Sequence, residues 1–408
     1  MNTKLLARAT AMAMLSLSII WLLAACAQGP AIVEVTRLVD REVTAAAPAD
    51  SADPAATAPL PTPAATIVTV TVVATTVVEV TPRPLGSEER PVQLLFPPVA
   101  NTAVIMQRGE SLAQALETTT GANFAISIPD DEATAVDLLC SAPADTIAFI
   151  SAAAYTIASE RCGAQAALVA RGDDDLTWET GMIVTRAGGG INELADLEGK
   201  RWVVADTGSL ANDLYFRAIL AEAGITPGEI ITAPEDSSAL LALRDGEADF
   251  ATAVFVPPLM PFARPWVFGE TDPEEWRVLG ISPTRSPIGY VVVAGDPENG
   301  GYRLRDARSR LFDTTADIFD VTRILTLSAP IPRETVVVGA DFPFALARQT
   351  VAALVEFAAS ETCQTSLCSA DLYGWTGLEP ADDAIYDPIR FITDTLDLEA
   401  ADLWSETD

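Results

Sequence analysis

The sequence contains no histidine, and this absence excludes several classes of site. Without imidazole there is no Ser-His-Asp or Cys-His catalysis, and no zinc, haem or iron centre with a histidine ligand. Basic residues are scarce too: 25 Lys and Arg face 57 Asp and Glu among 408 residues, for a net charge of −32. That balance argues against a nucleic acid partner, because phosphate neutralisation needs clustered Lys and Arg. Apolar residues make up 49%, enough for a buried core in two or three domain-sized units.

Residues 1–25 have the features of a signal peptide. Lys4 and Arg8 precede an apolar run, 11–23, which is too short to span a bilayer core of about 30 Å. The run ends in Leu-Ala-Ala-Cys, which resembles the lipobox of bacterial lipoproteins. The resemblance implies that Cys26 is lipidated and holds the protein at the outer face of the cell membrane. The alternative is a plain secretory signal with a chance cysteine.

Residues 26–90 are predicted to form a lipid-anchored, flexible tether. Segment 45–65 consists almost entirely of Ala, Pro, Thr, Ser and Asp, and its prolines disfavour helix and sheet alike. β-prone Val/Thr runs lie on either side, at 32–43 and 67–80, and Val-Glu-Val-Thr occurs in both regions as a duplicated element or as low-complexity drift. A coil of this length would reach about 40–50 Å, holding a globule clear of a membrane.

Residues 91–408 are predicted to be the globular part, with α/β architecture. Short apolar segments such as 92–96, 124–128 and 146–150 alternate with amphipathic stretches of helical period. Strands that alternate with helices of ten to fifteen residues indicate βαβ units and mostly parallel sheets. Ligands of such sheets bind beyond the carboxyl ends of the strands, where helix N-termini lie.

The strand predicted at 202–205 ends in Asp206-Thr207-Gly208-Ser209, and a helix is predicted from about 210 to 222. Hydroxyl groups and glycine between a strand and a helix form a site where backbone N–H groups converge on an anion. The competing interpretation is that Thr207 or Ser209 only caps the helix. Both interpretations fit the residues.

The segments "DLEGKRWVVADTGS", "AILAEAGI" and "SSALLALRDGEADFATAV" resemble the phosphate/phosphite/phosphonate-binding (PhnD-like) family of periplasmic solute-binding lipoproteins of ABC importers. Further matches are 142–151 with Tyr155, 341–343, 372–377 and 382–383. The resemblance implies the type II periplasmic-binding fold, in which two α/β lobes joined by a two-strand hinge close on a solute. It places lobe 1 at 91–181 and 285–408 and lobe 2 at 182–284, with crossovers near 181–186 and 282–293.

The resemblance implies a monomeric, non-enzymatic receptor that captures a small anionic solute and passes it to an ABC permease, without a cofactor or metal. The predicted ligand-binding residues are Ser151, Tyr155, Thr207, Gly208, Ser209, Asn212 and Ser237. Two of them have plainer alternatives: Tyr155 as a core residue, and Ser237 as part of a helix cap beside Asp236.

The ligand is less well defined than the fold. Where the family has Ser-Thr-Ser-Gly, this chain has Ser209-Leu-Ala-Asn212, so two hydroxyl donors are missing. Each hydrogen bond to a charged group contributes about 1.5–3 kcal/mol, so oxyanion recognition should be weaker here. A sulfonate or another organic solute, a tethered ligand sensor, and a transferase on the same fold remain alternatives.

Four cysteines follow Cys26, and an even number outside the cytoplasm favours disulfides. Their proximity in sequence favours Cys140–Cys162 and Cys363–Cys368, against a four-thiolate zinc site or buried free thiols. Arg285 is a candidate clamp for an anion or a salt-bridge partner. Trp178 lines the cleft or simply packs. The run 173–175 of three aspartates indicates a solvated turn rather than a calcium loop.

Overall fold

The computed structural model describes residues 31–39, 72–80, 83–399 and 402–403. The chain divides into two compact units, 1–84 and 85–408. In the first unit, strands β1 (Ala31–Val39) and β2 (Val72–Val80) pair antiparallel, so the two Val/Thr runs form a ladder where a flexible coil was predicted. The predicted signal peptide, Cys26 and the proline-rich segment 45–65 lie outside the described residues.

The second unit alternates strands and helices, as the sequence pattern predicts. Its strands are β3 (Val92–Leu95), β4 (Phe124–Ser127), β5 (Thr146–Ile150), β6 (Gln165–Arg171), β7 (Trp178–Arg186), β8 (Trp202–Val204), β9 (Ile230–Thr232), β10 (Phe250–Phe255), β11 (Thr284–Arg285), β12 (Val291–Val293), β13 (Tyr302–Leu304), β14 (Thr322–Leu327), β15 (Ile331–Pro332), β16 (Thr335–Val338) and β17 (Gly377–Pro380). Its α-helices are α1 (Thr102–Thr120), α2 (Glu132–Ser141), α3 (Ala152–Cys162), α4 (Tyr215–Glu222, preceded by a π-helical turn, Leu210–Leu214), α5 (Asp236–Asp245), α6 (Arg308–Leu311), α7 (Ile318–Val321), α8 (Phe344–Ala358) and α9 (Asp387–Leu396). Among the described residues, no helix is long and apolar enough to cross a membrane.

The first lobe is built on a six-stranded sheet in the order β17-β6-β16-β5-β3-β4. Strands β3, β4 and β5 are parallel, whereas β16 runs antiparallel to β5 and β6. Strands β3 and β5 are almost entirely buried because helices cover both faces of the sheet, whereas the edge strand β4 is only partly buried. Helices α1 and α8 pack on one face around Leu112 and Leu354, while α2, α3 and α9 pack on the other around Leu139 and Ile389.

The second lobe contains the sheet β14-β7-β10-β8-β9, in which β8, β9 and β10 are parallel. A smaller antiparallel sheet, β11-β12-β13, packs on the same core through Val291, Val293 and Leu304. Two α/β lobes are therefore present, as predicted. Each has an apolar core, and the cluster around Ile389 also includes Ala211 and Ala218 of the second lobe.

The hinge differs from the prediction. The chain leaves the first lobe through 172–177, between β6 and β7, and returns through 328–334, between β14 and β16. The predicted return at 282–293 is therefore corrected to a point about forty residues later. The physical reason is that Val291–Val293 is fully buried in the small sheet and that β14 pairs with β7 in the second lobe. Segment 285–327, predicted in lobe 1, thus belongs to lobe 2.

Both predicted disulfides are present. Cys140–Cys162 joins the C-terminal ends of α2 and α3, with 5.5 Å between the Cα atoms. Cys363–Cys368 closes a short loop after α8, with 5.1 Å between the Cα atoms. The first bond joins two helices of the first lobe, and the second ties down the loop that follows α8. A zinc site made from these four cysteines is excluded by the pairing.

Candidate ligand-binding cleft

A cavity of about 620 Å³ lies at the carboxyl end of β10, beside both hinge segments. Its wall comes mainly from the second lobe: the end of β10, the turn Leu210–Leu214, the small sheet and α6. Asp174, Trp178 and Arg333 complete the wall from the hinge side. The position agrees with the rule that open α/β sheets bind ligands beyond their strand ends.

Three buried polar oxygens in this wall have no hydrogen-bond partner among the described residues. They are the oxygens Thr180 Oγ1, Asn212 Oδ1 and Ser309 Oγ, and a fourth atom, Arg333 Nε, is likewise unpaired; the residues Thr180 and Asn212 are only 1% and 4% exposed. A buried polar group left unpaired costs about 1–3 kcal/mol. Their convergence on one cavity therefore indicates a place where a polar solute completes the hydrogen bonding.

A close approach at Gly181 places β7 directly against the segment that carries Asn212. An added Cβ at Gly181 would lie 2.3 Å from the carbonyl oxygen of Ala211 and 2.7 Å from Asn212 Oδ1, so only glycine fits. This lets the turn Leu210–Leu214 rest directly on β7. Ser209 begins the turn, and its Oγ accepts from the N–H of Asn212 at 3.3 Å.

Positive charge is concentrated around the cavity although the chain is strongly acidic. Its wall contains five arginines out of 25 basic residues: Arg285, Arg303, Arg305, Arg310 and Arg333. Three of these guanidinium groups are engaged within the protein, which fixes their positions.

Arg285 donates to Asp313 at 2.7 Å and to the carbonyl of Gly289, which holds the turn before Tyr290. The salt-bridge interpretation of Arg285 is thus the one realised, although the residue also lines the cavity. Arg333, on the return segment, donates to Asp174 at 3.0 Å and to Glu179 at 2.8 Å. It therefore links both hinge segments to one another.

Arg305 donates from Nε to the carbonyl of Pro257 at 2.8 Å. Burial lowers the pKa of Arg305, against the raising effect of Asp174. Its remaining contact, to the carbonyl of Asp174, is long at 3.4 Å. Arg305 thus holds the hinge segment against the second lobe.

Arg303 and Arg310 are different, because neither guanidinium group makes a hydrogen bond or ion pair within the described part of the chain. The guanidinium of Arg303 lies over the Tyr290 ring, 3.1 Å from its centroid. Arg310 acts on Asp236 at a distance: burial raises the pKa of Asp236, and Arg310 opposes this rise. Both cations therefore have donors to offer a solute.

A smaller cavity of about 180 Å³ lies between the two lobes. Ser151 and Ala152 line it from the first lobe, and Ser209 from the second. Its remaining wall includes Glu179 and Glu334, so it is more acidic than the larger cavity. Desolvation raises the pKa of Glu179, as do the nearby carboxylates of Glu334 and Asp174, against the opposing guanidinium of Arg333.

Three of the seven predicted ligand-binding residues line a cavity. Ser151 and Ser209 line the smaller one, and Asn212 lines the larger one. Ser151 is already engaged: its Oγ donates to Glu132 at 2.6 Å and accepts from the N–H of Ala154. Burial raises the pKa of Glu132, while the bonds from Ser151 lower it.

The other four predicted residues line neither cavity. Tyr155 is 2% exposed, donates to Asp383 at 2.6 Å and packs against Tyr386, so the core interpretation fits it. Thr207, Gly208 and Ser237 are likewise absent from both walls.

The N–H of Gly208 donates to the carboxylate of Asp213 at 2.9 Å. An internal anion, itself paired with Arg217, thus occupies part of the predicted oxyanion position. Asp213 also places a negative charge beside the N-terminus of the turn, where it would repel an anionic solute.

The sequence analysis missed Thr180, Ser309, Arg303 and Arg310. A usable signal was present in "RLRDARSR" (303–310), where four arginines fall within eight residues of a chain that is otherwise acidic. Thr180 and Ser309 gave no comparable signal, because single hydroxyl residues are common and their burial depends on the tertiary fold.

Trp178 and the aspartate run 173–175 were also candidates in the sequence analysis, and the structure shows the surroundings of both. Trp178 lines the cavity, as one of its two interpretations predicts. In the aspartate run, Asp174 pairs with Arg333 and Asp175 adopts a positive φ of 67°, which is typical of a turn. The described residues contain no group of His, Cys, Asp and Glu arranged to hold a metal ion.

A family model described as the periplasmic substrate-binding protein of phosphonate ABC transporters matches residues 94–386. The chain belongs to this family. The phosphonate-binding family consists of extracytoplasmic substrate-binding proteins with the two-lobed type II fold, and the fold and family predicted from sequence are thereby confirmed. No curated protein matches the chain.

Solved structures of similar proteins include members of the phosphonate-binding family. One is a binding protein component of an ABC phosphonate transporter from Pseudomonas aeruginosa, at 13% identity over 79% of this chain and 92% of that one, with a TM-score of 0.37. PhnD1 from Prochlorococcus marinus in complex with methylphosphonate has 10% identity over 75% and 98%, with a TM-score of 0.37. A putative sulfonate-binding SsuA from Methylobacillus flagellatus has 12% identity over 77% and 80%, with a TM-score of 0.34. Family membership rests on the match over 94–386.

Proposed function

We propose that this protein captures a small oxyanion, such as phosphate, phosphite or a phosphonate, in the larger cavity and delivers it to an ABC permease. The observation that carries the proposal is the convergence of three unpaired buried polar groups and two unpaired guanidinium groups on one cavity. A bound oxyanion would supply acceptors to the guanidinium and hydroxyl groups at once. Charge-assisted bonds of this kind are about twice as strong as neutral ones.

Asn212 adds a preference for phosphorus over sulfur. Its buried Oδ1 can only accept a hydrogen bond, so it requires a donor from the solute. A monoprotonated phosphate or phosphonate carries a P–OH group that can donate, whereas a sulfonate carries none near neutral pH. The unpaired acceptor therefore favours phosphorus oxyanions over the sulfonate alternative.

Lobe closure extends the proposal to Ser151 and Ser209. They line the smaller cavity from opposite lobes, and that cavity shares Glu179, Ala211 and Arg333 with the larger one. A hinge of two segments tied by Arg333 suits a rigid-body closing motion. On closure, the Ser209 hydroxyl would donate to the part of the solute that faces the first lobe, whereas the Ser151 hydroxyl, which already donates to Glu132, would contact the solute only by packing or as an acceptor.

The first prediction concerns the two unpaired arginines. Arg303→Gln and Arg310→Gln should each lower the affinity for methylphosphonate about ten- to a hundredfold, because each removes a charged donor worth about 1.5–3 kcal/mol. Isothermal titration calorimetry on the purified protein measures this, with phosphate, phosphite and methanesulfonate as further probes. The matched control is Arg348→Gln, which removes the same charge from an exposed position on α8.

Two results would contradict the proposal. One is that Arg303→Gln and Arg310→Gln bind every probe with the same affinity as the parent protein. The other is no binding of any of these oxyanions to the parent protein.

We also propose that Cys26 carries the lipid anchor, on the strength of its lipobox-like context. Cys26→Ser removes the thiol that would carry the lipid, so it should release the protein from the membrane fraction or leave its N-terminus unprocessed. Stable attachment needs more than one acyl chain, and the serine variant would lack this anchor. Fractionation with N-terminal mass spectrometry is the measurement. Normal processing together with unchanged membrane attachment would rule out the anchor.

A further inference from the structure

We propose that the solute is an organic anion that carries a flat apolar body, such as an aryl phosphonate or aryl phosphate ester, and that this body packs on Trp178. This inference rests on the proposed function, because it adds a second contact to the same cavity. It concerns the aromatic and apolar residues of the cavity wall, which make no contact with a bare oxyanion in the proposed function.

Three aromatic side chains contribute to the cavity wall. Trp178, Phe255 and Tyr290 line the cavity. The ring of Trp178 is supported from behind by Trp266 and Phe268, with centroids 6.4 and 6.3 Å away. A ring held by neighbours in this way keeps its orientation and offers a flat surface at little entropic cost.

Trp178 differs from the core tryptophans of the chain. Trp202, Trp276 and Trp375 are 0%, 2% and 3% exposed, so their rings are buried against other side chains of the core. Trp178 is only partly buried and lines this cavity as well as a second, smaller one beside Pro330 and Ile385. An exposed aromatic surface inside a cleft, next to unpaired cations, is available for a ligand and has no packing role on that side.

The size of the cavity supports the same conclusion. At about 30 Å³ per water molecule, a volume of about 620 Å³ corresponds to roughly twenty waters. A bare tetrahedral oxyanion replaces only a few of them. The remaining space borders apolar side chains, including Val256, Val291 and Leu304, which gain from contact with an apolar body.

Arg303 connects the charged and the aromatic parts of the wall. Its guanidinium lies over the Tyr290 ring, which holds the planar group in place while its N–H edge stays unpaired. A solute whose anionic group binds Arg303 is thereby placed beside an aromatic face. The geometry therefore suits a solute that combines an anion and a ring.

The test compares phenylphosphonate with methylphosphonate by calorimetry on the purified protein. Phenylphosphonate is expected to bind at least about tenfold more tightly, since even one methylene in a hydrophobic pocket changes binding by about 10–200-fold. Trp178→Ala should reduce this ratio to within about twofold of unity, whereas Trp178→Phe, which keeps a ring, should preserve most of it. Thermal unfolding of both variants verifies that they fold.

The outcomes separate the two proposals. Equal affinity for the two phosphonates overturns this inference and leaves the proposed function standing. A phenylphosphonate preference that survives Trp178→Ala also overturns it, because the ring would then bind elsewhere. Failure of the parent protein to bind either phosphonate, phosphate or phosphite overturns both proposals.

Discussion

An Arg308→Met variant is expected to be less stable than the parent protein by about 3–5 kcal/mol in free energy of unfolding. Arg308 is fully buried, and its guanidinium binds Asp306 through Nε and Nη2 at 3.0 and 2.9 Å. Nη1 donates to Glu274 at 2.6 Å. Removal of the arginine leaves the buried carboxylates of Asp306 and Glu274 without their main partner. Their negative charge is then neither paired nor hydrated, and this destabilises the fold.

The pH dependence gives this prediction a second readout. Burial acts to raise the pKa of Glu274, but Arg308 and Arg277 overcome it, so the pKa lies below its usual value. A lowered carboxyl pKa contributes stability above the usual pKa and loses it as the pH falls. Without Arg308, burial should instead raise the pKa of Glu274. The gap between parent and variant should therefore be largest near neutral pH and shrink on acidification.

The matched control is Arg277→Met. Arg277 also donates to Glu274, at 2.6 Å, but its side chain is 31% exposed where that of Arg308 is 0% exposed. Its removal also takes a donor from the carbonyls of Phe319 and Thr322, but it leaves Glu274 with Arg308, so a smaller loss is expected because no carboxylate is left without an arginine. Urea unfolding at several pH values compares the three proteins. A loss below about 1 kcal/mol for Arg308→Met, or one that does not change with pH, would contradict the assignment.

This cluster also bears on the cavity. Arg308 begins α6, and the next two residues, Ser309 and Arg310, line the cavity wall. Because Arg308 is anchored on the inner side by Asp306 and Glu274, the following residues are turned toward the solute. The buried ion pairs therefore hold part of the proposed binding surface in position.

The arrangement of strands and helices was predictable because it depends on local patterns. Apolar runs such as 146–150 and 202–205 lie between amphipathic stretches, and these form β5 and β8. Their sheets are mixed and not mostly parallel as predicted, because parallel pairing is confined to β3, β4 and β5 and to β8, β9 and β10. The disulfides were predictable for a similar reason, since each pairs the nearest cysteines in the sequence.

The hinge was less predictable because a crossover is defined by strand partners far apart in sequence. Val291–Val293 has the composition of a hinge strand but joins the small sheet, while β14 pairs with β7. The family resemblance supplied the number of crossovers and not their exact position.

The candidate site was predicted in part, and the errors share a cause. The sequence pattern predicted ligand-binding polar residues at strand ends, and Ser151, Ser209 and Asn212 do line cavities. Whether a hydroxyl is free depends on its tertiary neighbours, however. The Tyr155 hydroxyl already donates to Asp383, and the N–H of Gly208 already donates to Asp213. Conversely, Thr180 and Ser309 are free only because the fold buries them without a partner.

Gly181→Ala is expected to lower both stability and methylphosphonate affinity. The new methyl group would stand 2.3 Å from the carbonyl oxygen of Ala211, so β7 and the turn Leu210–Leu214 must move apart. Overpacking of this kind costs about 1–3 kcal/mol. The shift also displaces Asn212, whose side chain contacts the same point. Loss of one well-placed polar contact to a charged solute predicts a tenfold or larger drop in affinity.

Gly339→Ala separates the two effects. Its added Cβ would lie 2.1 Å from the carbonyl oxygen of Pro143, a comparable clash, but in the first lobe and outside both cavity walls. It should destabilise the protein by a similar amount while its folded fraction binds methylphosphonate as the parent does. Thermal unfolding and calorimetry on the two variants decide the matter. If Gly339→Ala weakens binding as much as Gly181→Ala does, the loss reflects general destabilisation and the position of Asn212 does not govern recognition.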